Sequence, residues 1–232
     1  DILAPYGLRA VTGDMGILTA AVAGLQSSDR RRAALMRHIW RPRRFRALLD
    51  RFSGKTRVPE TRAALLAAED PMAGAGPMIG LRSQAEVAAR IDALRADAVD
   101  GPLPRELCLM IDAVSNVRET CPFAMERLRD IAVDLPALTP ALDRLGARLE
   151  ALSARGVDVD RLDFEGSYGR TSMEYYDGFV FGFVSEARPD LPPVATGGRY
   201  DALTARLGQG RDIPAVGGVI RPDLLLALEG GA

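Results

Sequence analysis

Three short stretches in the last third of the chain carry the residue types that could do chemistry. The first holds Glu174, Tyr175 and Tyr176 ahead of Gly178, the second is Gly197-Gly198-Arg199, and the third is the pair Gly217-Gly218. A carboxylate and a phenol can hydrogen-bond a small polar ligand that bears ring nitrogens or an ammonium group. Paired glycines let a ligand come close to the backbone, and Arg199 offers a fork of donors to a carboxylate or phosphate. Gly217 and Gly218 add a second place without side chains, so the glycines together would make a floor beneath a flat ligand. Aromatic-rich strands also serve simply to pack sheets, which is the competing reading of the tyrosines.

The elements that must position these residues follow from patterning. Residues 173–184 alternate apolar and polar side chains as a strand does, which would put Glu174, Tyr176 and Gly178 on one face and Tyr175 on the other. Residues 199–207 read as a helix, 214–220 as a strand and 222–228 as a closing helix with Pro222 in its first turn. Residues 157–164 alternate as well. The strand-rich part, 157–232, has hairpin-like spacing that favours an antiparallel sheet. Upstream, residues 6–12 read as a strand ending at Gly13-Asp14, with Asp14 capping a helix over 15–25. Residues 13–156 are otherwise mainly helical. Breaks fall at Pro42, at Ser53-Gly54 and before Pro59, and an irregular Gly- and Pro-rich run covers 71–80. Ser83 and Glu86 form a capping-box pattern for a helix to about residue 98. Two further helices are expected over 106–114 and 122–133. Thr139-Pro140 reads as cap and first turn of a helix whose leucine seam, Leu138, Leu142, Leu145, Leu149 and Leu152, belongs in a core, with Gly156 closing it.

Composition narrows the class. The 232 residues are 47% hydrophobic and 26% charged, as in ordinary globular domains. No apolar run reaches the roughly 18 residues of a membrane span, and no signal peptide opens the sequence, so a cytoplasmic protein is expected. Cys108, Cys121 and the lone His38 offer neither a disulfide framework nor zinc-ligand spacing; buried free thiols, no metal and no cofactor are the expectation. The net charge of −1 hides a basic series from Arg30 to Arg62, opposed locally only by Asp50 and Glu60. Such a field suits phosphates, nucleic acid or an acidic surface, or is a solvated helical face. Trp40, Phe45 and Phe52 sit at apolar helical positions within it, so a base-stacking platform, and with it nucleic acid as a partner, is not expected.

The stretches Tyr175-Tyr176-Asp177-Gly178-Phe179-Val180-Phe181, Gly197-Gly198-Arg199-Tyr200-Asp201 and Pro214-Ala215-Val216-Gly217 resemble, in order, three motifs of histidyl-tRNA synthetase-like proteins. The resemblance implies an α+β fold: a class II aminoacyl-tRNA synthetase-like antiparallel sheet flanked by helices, with a helical middle segment. It also implies a histidine-like pocket lined by Glu174, Tyr175, Tyr176, Gly197, Gly198 and Arg199. The departures matter. Thr171 stands where the synthetases have a catalytic Arg, with Arg170 one residue out of register; Gly182 replaces a carboxylate, and Leu224 an Arg that grips ATP phosphates. Adenylate formation would thereby lose its electrostatic support. In this the chain resembles regulatory subunits of ATP phosphoribosyltransferase, non-catalytic partners of a short catalytic subunit in histidine biosynthesis. That implies histidine as an effector, a homodimer in the full-length protein, and a longer chain whose amino-terminal part carries the dimer motif and half of the pocket. An aminoacylating histidyl-tRNA synthetase fragment, with an anticodon-binding domain elsewhere, is the alternative.

Overall fold

Short strands and well-marked helices account for the chain in the computed structural model, which describes residues 3–170, 174–211 and 213–230. Strand β1 (Arg9–Asp14) runs directly into α1 (Met15–Ala23), and the Asp14 carboxylate accepts from the Gly16 N–H as the cap expected from the sequence. Of the expected breaks, Pro42 comes after α2 (Asp29–Arg37) has ended and opens α3 (Pro42–Phe52), Ser53-Gly54 closes α3, and Pro59 immediately precedes α4 (Glu60–Ala67). Helix α5 (Gln84–Val99) opens on the reciprocal Ser83–Glu86 capping box. Next come α6 (Arg105–Ser115), β2 (Arg118–Thr120), α7 (Cys121–Asp134) and α8 (Thr139–Ser153). A 3-10 turn over Pro136–Leu138 leads straight into α8, so Thr139 is already helical and caps nothing with its side chain, contrary to its expected role. The last part holds β3 (Asp163–Glu165), β4 (Phe179–Val184), β5 (Ala195–Arg199), α9 (Asp201–Leu207), β6 (Val216–Ile220) and α10 (Pro222–Glu229).

The six strands form one mixed sheet in the order β2-β3-β1-β4-β5-β6. Pairing is antiparallel throughout except between β1 and β3, which run parallel. The long helical segment between β1 and β3 is the crossover that a parallel pair requires. Two expected strands are shorter than their alternation suggested. Val159–Arg161 is a 3-10 turn ahead of β3, and β4 begins only at Phe179, after the tyrosine pair.

Paired residues across strands share a face. One face carries Thr12, Asp14, Phe164, Phe179 and Phe181, and the other carries Val11, Gly13, Val180, Gly182, Gly198 and Gly217. The first is covered by helices: Thr12 meets Cys121 at the start of α7, and Arg148 of α8 reaches Asp14. The core includes Ile17, Leu18, Leu35, Ile111, Leu128 and Leu138, and the leucine seam of α8 contributes Leu142 and Leu145. Both cysteines are free and buried.

Part of the arginine series holds the middle segment together. Buried Arg31 donates to Asp97 Oδ1 (2.8 Å) and to the Gly101 carbonyl (2.6 Å), Arg51 takes the other Asp97 oxygen (2.7 Å), and Arg30 donates to the Ala93 carbonyl. Helix α5 buries only Ile91, so these bonds, more than apolar contact, dock it on α2 and α3.

Candidate functional site

The turn that precedes β4 brings two tyrosines onto the glycine-bearing face of the sheet. They do not alternate across a strand. The Tyr175 and Tyr176 rings lie together with centroids 4.8 Å apart, and Tyr200, just past the end of β5, stands edge-on to Tyr175 at 5.4 Å. Tyr176 is buried, and its backbone carbonyl accepts from Trp40 Nε1 (3.2 Å), which fixes the turn against the α2–α3 corner. Burial first, then the neighbouring Tyr175, pushes the Tyr176 hydroxyl up to about 12.

The glycines form no open floor, because the chain's own rings cover them. A Cβ at Gly198 would fall 2.7 Å from the Tyr176 ring, and one at Gly217 would fall 2.8 Å from the Tyr200 hydroxyl. On the opposite face a Cβ at Gly197 would meet Phe181 at 2.5 Å. Gly197 and Gly198 lie inside β5 and face opposite ways. Gly13 and Gly182 are both covered by Tyr168, whose hydroxyl lies 1.7 Å from where a Gly182 Cβ would stand. The hydroxyl is buried without a hydrogen-bond partner among the described residues.

Glu174 and Arg199 are placed differently from the sequence expectation. Glu174 is exposed and gripped by both ends of the Arg41 guanidinium (3.0 and 2.9 Å), away from the sheet face. Arg199 is the last residue of β5 and lies outside α9; its Nε donates to Asp201 (2.7 Å) while its aliphatic part crosses Gly178. Two carboxylates inside the motifs serve the backbone. Asp177 accepts from the Asp201 and Ala202 N–H groups at the start of α9, and Asp201 accepts from the Ala215 N–H (2.8 Å). Burial works against the Asp201 charge, but the Ala215 N–H and Arg199 outweigh it and hold its carboxyl below the usual range.

The structure therefore assembles Tyr175, Tyr176, Gly198 and the stem of Arg199, joined by Tyr168 and Tyr200, and leaves Glu174 and Gly197 outside. Tyr200, Asp177 and Asp201 stand within the recognised motifs, and their types alone could have nominated them. Tyr168 carries no local signal, since its role depends on glycines in two other strands. The register argument about Arg170 does not hold, because residues 166–170 form a turn; Thr171 lies outside the described residues. Leu224 is half-buried in α10. Three clustered phenols suit a ligand held by hydrogen bonds and by contact of a cation with ring faces. Asp177 and Asp201 are committed to backbone amides.

The family model described as histidyl-tRNA synthetase matches residues 79–225. Curated proteins named ATP phosphoribosyltransferase regulatory subunit, from Brucella anthropi and Brucella ovis, are 29% and 28% identical to this chain over 242 aligned residues. The alignments cover 96% of this chain and 63% of each relative, so the chain spans less than two thirds of their length. Among solved structures, an ATP phosphoribosyltransferase regulatory subunit/histidyl-tRNA synthetase from Bacillus halodurans C is similar with a TM-score of 0.55 and 18% identity, over 95% of this chain and 44% of that one. A histidyl-tRNA synthetase from Nostoc sp. PCC 7120 is similar with a TM-score of 0.58 and 15% identity, over 99% and 44%. These likenesses carry the fold, a class II synthetase-like sheet flanked by helices.

Proposed function

The chain belongs to the histidyl-tRNA synthetase family, and from that premise we propose that it is part of a non-catalytic regulatory subunit of ATP phosphoribosyltransferase. In this reading it pairs in the cytoplasm with a short catalytic subunit and conveys histidine inhibition to it, as a homodimer in its full-length form. The observation that carries the reading is the near-complete alignment with relatives that bear this name. The geometry supports it. At position 182, where the synthetases have a carboxylate, there is a glycine, and the Tyr168 ring fills the space that a side chain there would need. The phosphate-gripping Arg is Leu224, which cannot stabilise phosphate charge. The tyrosine cluster keeps aromatic faces and hydroxyls suited to an imidazole and an ammonium group.

The test mixes the full-length protein with a short-form catalytic subunit and follows phosphoribosyl transfer from phosphoribosyl pyrophosphate to ATP. Activation that histidine reverses is expected. Absence of activation, or histidine-dependent exchange of pyrophosphate into ATP by the protein alone, overturns the proposal, the latter in favour of an aminoacylating synthetase.

A further inference from the structure

Outside the tyrosine cluster, and among the described residues, one charged group is buried without a counter-charge. Arg170 is only 5% exposed. Among the described residues its side chain makes one hydrogen bond, from Nε to the Ile39 carbonyl (2.8 Å), and its guanidinium lies 4.8 Å from the centre of the Phe45 ring. Nη2 is buried and has no partner among the described residues. Burial alone accounts for the lowered pKa of this group, with no carboxylate offsetting it. Stacking on one ring offsets less than burying a cation with unmet donors costs. The contacts among the described residues therefore leave the guanidinium undercompensated.

Arg170 lines a cavity of about 320 Å³ between α3 and α6, together with Phe45, Leu49, Asp112, Ser115 and Asn116. Ligand sites begin at roughly 300 Å³. Asp112 is paired with Arg46, so the lining's two guanidiniums and one carboxylate leave one positive charge, that of Arg170. Ser115 and Asn116 offer a hydroxyl and an amide on one side, and Phe45 and Leu49 an apolar wall on the other.

We propose that this cavity is a second binding site, which takes a small anion whose carboxylate or phosphate group pairs with the Arg170 guanidinium. The site lies where the middle helices meet the turn leading to the tyrosines. Its occupant would thus tie α3 and α6 to that turn. The inference stands apart from the histidine reading of the tyrosine cluster.

Calorimetric titration of the full chain with inorganic phosphate, and separately with propionate, at ionic strength held constant with chloride, tests it. One-to-one binding of at least one anion is expected, with the Nε–Hε resonance of Arg170 moving in step. Phosphate preference points to a phosphorylated ligand and propionate preference to a carboxylate. Arg170→Gln should weaken binding roughly ten- to a hundredfold, as expected for loss of a charged hydrogen bond. Ser115→Leu, which crowds the half-buried rim and leaves the guanidinium in place, should weaken it as well and keeps the test valid if Arg170→Gln does not fold. Binding of neither anion, or equal binding by folded variants, overturns the proposal.

Discussion

At the scale of single residues, the side chains that matter most here are ones that are absent. Gly13, Gly182, Gly198 and Gly217 share a sheet face with the Tyr168, Tyr176 and Tyr200 rings packed onto it. The Gly182–Tyr168 pair is the sharpest case, since a methyl at 182 would overlap the phenol oxygen. Gly182→Ala should cost about 1–3 kcal/mol as overpacking in urea unfolding. In a Tyr168→Ala background the same change should cost far less, and this non-additivity is the signature of direct contact. Tyr168→Phe alone should be neutral or slightly stabilising, because it removes a buried hydroxyl that has no partner among the described residues. Nothing at positions 166–170 announces this contact, as its other half lies in β1 and β4.

At the scale of elements, α5 is attached mainly by charge. Burial pushes the Asp97 carboxyl up, but the Arg31 hydrogen bond and the nearby Arg51 outweigh it, and its pKa lies below the usual carboxylate range. For a depressed carboxyl the stabilisation is present above the unfolded value, about 3.9, and is lost as pH falls through the folded value. Asp97→Ala should therefore lower stability at pH 7 by about 3 kcal/mol, because buried Arg31 loses its partner. It should also flatten the loss of stability below about pH 4; urea midpoints from pH 7 to pH 3 check both. An unchanged acid limb would remove Asp97 as its cause. The helix itself was legible, since the Ser83–Glu86 box lies within four residues of sequence. Its attachment was not, because Arg31 and Asp97 are far apart in the chain and a run of arginines reads alike whether it meets solvent, phosphate or a carboxylate.

At the scale of the whole molecule, stability is unevenly spread. The core gathers β1, α1, α6, α7 and α8 around fully buried residues, whereas α4, α9 and α10 bury none. Hydrogen exchange should be slowest in β1, β4 and α1 and fastest in 71–82, α9 and α10, as opening free energy follows apolar burial. Protection of α10 equal to that of α1 would contradict this. The sequence by itself determined where most helices lie to within a few residues, the Asp14 cap, the buried thiols and the order of three family motifs. Each depends on residue type, on neighbours a few positions away or on a pattern kept in register. Tertiary structure alone decided that β1 pairs parallel with β3, that the tyrosines precede β4 and lie side by side, and that rings fill the glycine surfaces. It also decided that Glu174 turns outward to Arg41. These outcomes depend on contacts between segments up to about 150 residues apart, as Arg9 and Asp163 are, where closure and packing outweigh the local alternation of side chains.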